Sequence, residues 1–251
     1  MSGAILITGA GARVGAYFAK KLAKDGWAVA IHFNRSRDKA EKLGEEISAD
    51  GGKAAAVKAN LCIPSETAGL VEQASTALGQ PITALINNAS TFFDDRAENF
   101  SQAGFDHHFD VNLRAPLILS QKLDAQLPDG ASGAIINMID QRVLKPNPLY
   151  FTYSISKSGL YWATKTLAQS LAPRIRVNAI GPGPTLKNKS QSETEFETEK
   201  SETLLGAGSP PDSLLQAVRY LLSAEAVTGQ FLAVDGGQHL TWQTRDLMIG
   251  I

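Results

Sequence analysis

Short apolar runs alternate with longer stretches of helical period along almost the whole chain. Residues 4–8, 27–33, 53–59, 82–87, 134–139, 174–180 and 231–234 are brief and mostly apolar, and are predicted as strands. Residues 13–24, 36–49, 64–78, 150–172 and 212–223 repeat apolar positions every three or four residues and are predicted as helices. In the first of these Val14, Phe18 and Leu22 make the apolar stripe, and lysines take the other face. Residues 104–126 also carry a helical pattern, with Pro116 inside it, where a missing N–H predicts a kink. Strands separated by helices of a dozen or more residues need crossover connections, so the sheet is parallel and covered on both faces. The pattern predicts one α/β domain over residues 1–251, a doubly wound parallel sheet of about seven strands flanked by helices.

Composition narrows the partners. A 43% hydrophobic content suits one sizeable core, and a formal charge of -1 leaves no global field for nucleic acid or a membrane surface. A single cysteine, Cys62, excludes an intrachain disulfide and fits a reducing compartment; it reads as a small buried residue after a strand. One cysteine and four scattered histidines (His32, His107, His108, His239) predict no metal site, and adjacent His107 and His108 would point apart on a helix. The first residues, MSGAILITGAG, have no signal-peptide layout, and no run reaches the roughly 18 apolar residues of a membrane span. A cytoplasmic protein is expected. One segment breaks the alternation: Glu193, Glu195, Glu197, Glu199 and Glu202 are interspersed with Ser, Thr and Lys. It reads as a solvated loop or exposed helix, and its place after the sixth strand also makes residues 185–210 a candidate substrate lid.

The candidate chemistry lies at the ends of the predicted strands. The first strand runs into Thr8-Gly9-Ala10-Gly11-Ala12-Arg13-Val14-Gly15 and then a helix. Glycines admit a pyrophosphate to the backbone, and the helix N-terminus offers free N–H groups, so this is the turn of a Rossmann-like dinucleotide site. Arg13 adds a positive charge there. After the second strand come His32, Phe33, Asn34, Arg35 and Ser36, with no acid until Asp38. An NAD site would carry an acid for the ribose 2′-hydroxyl, whereas Arg35 offers a fork for a 2′-phosphate, with Asn34 and Ser36 as donors. NADP(H) is the expected cofactor. Tyr153 and Lys157 stand four apart on one helix face, where an ammonium would lower the phenol pKa and allow proton transfer. Asp140 precedes Tyr153 by thirteen positions, at the end of the fifth strand.

Together the TGAGARVG turn, Asn87-Asn88-Ala89, Tyr153-x-x-x-Lys157 and Gly181-Pro182-Gly183 resemble the short-chain dehydrogenases/reductases over the whole chain. The resemblance implies an oxidoreductase whose cofactor rests on Gly9, Arg13, Val14 and Gly15, with His32 to Ser36 at the 2′-phosphate end and Asn60 and Leu61 beside adenine. It further implies Asn88, Ala89 and Ser90 near the ribose, Tyr153 and Lys157 at the nicotinamide ribose, and Pro182, Gly183 and Thr185 beyond it. Asn112, a poor helix residue inside a predicted helix, would keep a water-linked proton path to Lys157.

Most members carry serine where this chain has Asp140. With Arg13, the stretch from His32 to Ser36, and Ser90-Thr91-Phe92, that swap makes the chain similar to the pteridine reductases. The similarity implies Phe92 stacked on a pterin, Ser90 bonded to ligand and cofactor phosphate, and Asp140 with Tyr153 facing the pterin nitrogens. Physically, a carboxylate repels a developing alkoxide but accepts from N–H groups, which a pterin supplies. It also opposes ionisation of a nearby phenol, so Tyr153 would remain a donor. Asp140 could instead only cap the following turn, and Phe92-Phe93 could be loop packing. The expected activity is NADPH-dependent hydride transfer to a C=N bond of a dihydropterin of the dihydromonapterin, dihydrobiopterin or dihydrofolate type. The alternatives are a short-chain reductase of an ordinary carbonyl and a non-catalytic NADP-binding sensor. The apolar end FLAVDGG with His239 to Trp242 predicts packing across subunits of a homotetramer, or else within one subunit.

Overall fold

The computed structural model describes residues 3–188 and 191–242. Strands β1 (Ala4–Ile7), β2 (Ala28–Phe33), β3 (Lys53–Lys58), β4 (Ile82–Asn87), β5 (Gly133–Met138), β6 (Ile175–Pro182) and β7 (Phe231–Val234) form one sheet, order β3-β2-β1-β4-β5-β6-β7, with every pair parallel. Alternation along β1 shows why the strands read as continuously apolar. Ile5 and Ile7 enter one core with Phe18 and Leu22 of helix α1 (Arg13–Lys24), Ile47 of α2 (Arg37–Ala49) and Leu214 of α8 (Pro211–Ser223). Ala4 and Leu6 face the opposite core, with Leu70 of α3 (Pro64–Leu78), Leu119 of α5 (Ala115–Gln126) and Ala168 of α6 (Phe151–Leu171). Each fully buried Leu or Ile contributes on the order of 2 kcal/mol. The fold is the single doubly wound, Rossmann-like α/β domain that the pattern predicts.

The order in which successive strands are added reverses at β1 and β4, which opens a crevice above their carboxyl ends. A buried polar chain fixes the elements beside it. Asn87 and Asn137 are register partners on β4 and β5, and Asn87 Nδ2 donates to Asn137 Oδ1 at 2.8 Å. Asn137 Nδ2 in turn donates to Thr164 of α6 at 3.0 Å, so strand and helix cannot slide past each other without breaking it.

The helical region predicted over 104–126 is present and runs without interruption over 102–126, with a change of winding inside it. It is α4 (Gln102–Phe109), a π-type turn over Asp110–Arg114, and α5. Pro116 follows this turn directly: the backbone is helical through Arg114 and Ala115, and Pro116 has no N–H for the Asn112 carbonyl four residues back. The glutamate-rich segment contains helix α7 (Glu193–Ser201), started by a capping box in which Ser192 and Glu195 bond each other's backbone N–H.

Candidate active site

Four strand ends meet at the crevice: Thr8-Gly9 after β1, Asn88 after β4, Asp140 after β5, and Pro182-Gly183 at the end of β6. The Thr8 hydroxyl accepts from the backbone N–H groups of both Asn88 and Ala89 at 2.9 Å, and Asn88 Nδ2 donates to Thr8 O at 2.8 Å. This tie leaves no room at the turn. A Cβ on Gly15 would lie 2.6 Å from Asn88 Nδ2 and 2.7 Å from Gly9 O, and Gly9 itself has φ +64°. Ala12, the residue before α1, has no polar side chain to satisfy the helix N–H groups, which suits an anion. The adjoining cleft holds about 490 Å³ and is lined by Gly9, Arg13, Val14, Gly15, His32, Asn34, Arg35, Asn60, Leu61, Asn88, Ala89 and Ser90. A dinucleotide fits this cradle, and Arg35 rather than an acid stands at the β2 end of it.

Two residues expected at this cleft are not among those that line it. Phe33 is buried beneath the Arg37 guanidinium, and Ser36 is an exposed residue whose carbonyl starts α2 by accepting from Ala40 N. Cys62 is only half-buried, with Sγ 3.1 Å from His107 Nδ1, and both line the cleft. Its position corrects the expectation of a buried structural thiol.

His32 serves the turn from behind. Its Nδ1 accepts from Gly9 N at 3.0 Å and its Nε2 donates to Ala59 O at 3.0 Å, which specifies the neutral tautomer. Burial lowers its pKa to about 4, against the Ala59 bond that favours charge. A folded pKa below the unfolded one makes this stability complete above about pH 6.5, with loss as pH falls toward 4. Unfolding free energy is expected to drop by about 2 kcal/mol from this residue between pH 7 and pH 5. Denaturant titrations at the two pH values check it, and His32→Gln should flatten the dependence by that share.

Arg13 stands where the short-chain pattern has a glycine, and its φ of +54° is a glycine-like conformation. Such a backbone costs about 1 kcal/mol or more. The side chain offsets this by donating to Leu186 O and Lys187 O, each at 2.9 Å, and it lines both the large cleft and a smaller pocket of about 180 Å³.

That smaller pocket is lined by Asp140, Tyr153, Phe92, Pro182, Gly183 and Thr185, together with Phe196 and Glu199 of α7. The Tyr153 hydroxyl donates to Asp140 Oδ2 at 2.9 Å. Asp140 also accepts from Arg142 N at 2.9 Å, so it caps the short turn Gln141–Val143 and partners the phenol at once. Burial pushes the Tyr153 phenol well above its ordinary value, Asp140's charge and hydrogen bond push it further, and Arg142 opposes them. The expectation that Lys157 lowers this pKa is thereby corrected: the ammonium, 5.8 Å from the ring centroid, donates to Met138 O at 2.9 Å. Burial brings Lys157 down to about 8, with Asp140 acting against it.

Asn112 sits in the π-type turn with its amide fully used. Its Oδ1 accepts from Ser90 Oγ and Thr91 N, and its Nδ2 donates to Thr91 O and Ser156 Oγ. Among the described residues its side chain makes no hydrogen bond to Lys157, so it anchors the loop after β4. Phe92 has one face covered by Tyr150, stacked at 4.3 Å between centroids, and also meets the Tyr153 ring at right angles at 4.8 Å, with the Arg142 guanidinium carbon 5.8 Å from its centroid.

The helix that carries Tyr153 is anchored by residues that the motifs do not contain. Asp95 O accepts from Phe151 N at 3.2 Å, and Asp95 Oδ1 accepts from Thr152 N at 3.0 Å. The Thr152 hydroxyl donates to Asp95 Oδ2 and so accepts from His108 Nδ1 at 2.7 Å. Tyr150, the residue before α6, has φ +54°, and Asp95 does the capping in its stead.

Residues 3–198 match the profile of the family described as short chain dehydrogenase. FolM alternative dihydrofolate reductase 1 from Brucella suis, solved with NADP, superposes with a TM-score of 0.93 at 45% identity, covering 96% of this chain and 97% of that one. The angucycline C-6 ketoreductase LanV with bound NADP gives 0.87 at 30% identity, over 95% of this chain and 96% of that one. The 3-oxoacyl-[acyl-carrier-protein] reductase FabG of Staphylococcus epidermidis is 31% identical over 246 residues, 96% of this chain and 100% of the relative. With the parallel seven-stranded sheet, the glycine turn and the Tyr153/Lys157 pair at one crevice, these similarities place the chain in the short-chain dehydrogenase/reductase family.

Proposed function

We propose that this protein is an NADPH-dependent reductase of a dihydropterin or related pteridine, of the dihydromonapterin, dihydrobiopterin or dihydrofolate type. The observation that carries the reading is Asp140, a carboxylate 2.9 Å from the Tyr153 hydroxyl in the pocket beside the cofactor cleft. A serine there would donate to a carbonyl oxygen; a carboxylate accepts from substrate N–H groups. Similarity to the NADP-bound FolM structure supports the same substrate class and the same cofactor.

When bound, NADPH supplies the hydride for the carbon of the C=N bond. The chain does the rest. Gly9, Val14 and Gly15 admit the pyrophosphate, Asn34 and Arg35 take the 2′-phosphate, and Asn60 and Leu61 flank adenine. Asn88, Ala89 and Ser90 border the ribose, Lys157 orients it, and Pro182, Gly183 and Thr185 close the nicotinamide side. The Tyr153 hydroxyl gives its proton to the ring nitrogen, while an incoming N–H takes over its place on Asp140. Phe92 lines the pocket that receives the ring. Helix α7 acts as the lid, with Phe196 and Glu199 turned to the pocket.

Exposed apolar side chains support a homotetramer. Trp162 is 68% exposed on α6, and Leu240 and Trp242 near the end of the described chain are 57% and 56% exposed. A reducing, cytoplasmic location suits the lone thiol.

A second reading, reduction of an ordinary carbonyl, is favoured by the FabG and LanV similarities. An NADPH-oxidation assay with the three dihydropteridines, a panel of ketones, and NADH in place of NADPH separates the two. Turnover of a dihydropteridine with NADPH in preference to NADH is expected. Ketone turnover without pteridine turnover overturns the proposal, and NADP binding with no turnover at all leaves the sensor.

A further inference from the structure

Asp95, in the loop between β4 and α4, is buried and holds the start of the helix that carries Tyr153. Its backbone oxygen accepts from Phe151 N and from the Arg96 guanidinium, and its side-chain oxygens take the N–H and the hydroxyl of Thr152. Thr152 adjoins Tyr153 in sequence, so both polar groups of the neighbouring residue are fixed from one side chain. The same loop carries Phe92, stacked on Tyr150 and edge-on to Tyr153. A second tie comes from α4. His108 is fully buried, its ring stacked on Phe93 at 3.8 Å between centroids and 5.9 Å from that of Tyr153. Burial lowers its pKa to about 4, with Asp95 acting against it, so near pH 7 the ring is neutral and carries one N–H. A hydroxyl has a single hydrogen to give. Thr152 gives it to Asp95, so the His108 hydrogen sits on Nδ1, and Nε2 is a buried acceptor with no partner among the described residues.

We propose that Asp95 is a positioning residue of the proton step: through Thr152 it sets where the first turn of α6, and with it the Tyr153 hydroxyl, stands against the loop that carries Phe92. The inference rests on the reading of Tyr153 as proton donor. Other anchors hold later parts of the helix. Lys157 is tied to Met138 O at the end of β5, and Ser156 to Asn112. The first turn instead begins at Tyr150, whose φ of +54° is costly for a residue with a side chain and has to be held from outside. Removing the Asp95 side chain leaves the Thr152 N–H buried without an acceptor, and the turn regains one only by moving. A shift of about 1 Å in a proton donor costs roughly 10²-fold in rate. The cofactor cradle stands on the ends of β1, β2 and β4 and does not depend on this turn. Asparagine at position 95 keeps an acceptor for Thr152 N but presents an N–H to the hydroxyl. The hydroxyl then turns its hydrogen to His108 Nδ1, which drives that ring to its Nε2–H tautomer.

The test is a double-mutant cycle with Tyr153→Phe, read by steady-state kinetics on a dihydropteridine. Asp95→Ala is expected to lower kcat by about 10- to 10²-fold in the parent and by less than about twofold in the Tyr153→Phe background, with NADPH affinity within about threefold throughout. Asp95→Asn should keep kcat within about fivefold of the parent. An Asp95→Ala loss of equal size in both backgrounds, or one confined to KM, overturns the proposal. Two NMR signatures need no turnover and so stand apart from the reductase reading. In NADP-bound protein labelled at the histidine ring nitrogens, with His108→Gln to assign the signal, His108 should be Nδ1–H in the parent and Nε2–H in Asp95→Asn. In protein labelled at tyrosine Cζ, Asp95→Ala should move the Tyr153 signal and leave that of Tyr161, about two turns further along α6, in place. A parent His108 in the Nε2–H form, or an unmoved Tyr153 signal, overturns the proposal whether or not a pteridine is reduced. A protein that shows both signatures but reduces no pteridine keeps Asp95 as the anchor of Tyr153 and loses only the reductase reading. Should Asp95→Ala lose its native circular dichroism, Thr152→Val, which keeps the shape and unties the hydroxyl, is judged by the same cycle and the same Tyr153 signal.

Discussion

Tyr153→Phe is expected to lower kcat by about 10³-fold and to change NADPH affinity by less than about threefold. The phenol is 5% exposed, and phenylalanine keeps its volume and its edge contact with Phe92 at 4.8 Å, so the pocket should retain its shape. What disappears is the one neutral O–H that bonds Asp140. Because burial and Asp140 raise the phenol's pKa, Tyr153 stays protonated through the neutral and mildly alkaline range and cannot produce an alkaline loss of rate there. Lys157, brought down to about 8 by burial, can. The wild type should therefore lose activity above about pH 8 as the ammonium is lost, and the residual rate of Tyr153→Phe should fall over the same range. Steady-state kinetics against pH, beside a fluorescence titration of NADPH, decide it. A phenylalanine variant within about tenfold of the parent kcat would move proton delivery to another group.

The strands and helices were legible because each is a local pattern, with parallel strands apolar on both faces and helices striped. The change of winding inside the predicted helix over 104–126 was legible only as Pro116. Pro116 follows directly on the stretch that leaves α-geometry, Asp110–Arg114, where Asn112 turns its amide to Ser90, Thr91 and Ser156. Those partners are more than twenty residues away, and no local propensity encodes them. The same holds at the site. Asp140 and Tyr153 could be paired from a strand end and a helix face, and they lie within hydrogen-bond distance. Asp95, by contrast, looks like an ordinary loop acid, although it caps a helix fifty-seven positions later. Arg13 was read by its charge alone; its left-handed backbone and its grip on Leu186 and Lys187 follow from the meeting of two distant turns. Phe33 was expected at the cleft from the family pattern and Ser36 as a donor beside Arg35, and neither lines it. Phe33 follows His32 on β2 and is buried, and Ser36 is exposed, with its carbonyl at the start of α2.

Asp140→Ser should separate the two substrate classes. With a dihydropteridine, kcat/KM is expected to fall by about 10²- to 10³-fold, because a hydroxyl accepts weakly where a carboxylate accepted strongly and no longer orients the N–H edge of the ring. With a ketone the sign reverses. The carboxylate repels the negative charge that grows on oxygen, whereas a serine hydroxyl donates to it, and the Arg142 guanidinium, relieved of Asp140, adds a positive charge on the same side. Ketone turnover should rise from background to a measurable rate. Asp140→Asn is the control, since it keeps the shape and removes the charge: it should lose pteridine turnover to a similar extent, and its amide should serve a carbonyl less well than the serine. Parallel assays of the three proteins with both substrate classes measure the crossover. If the serine variant reduced the pteridine as fast as the parent, recognition of nitrogen by this carboxylate would be wrong, and the FabG-like carbonyl reading would be the better account of the pocket.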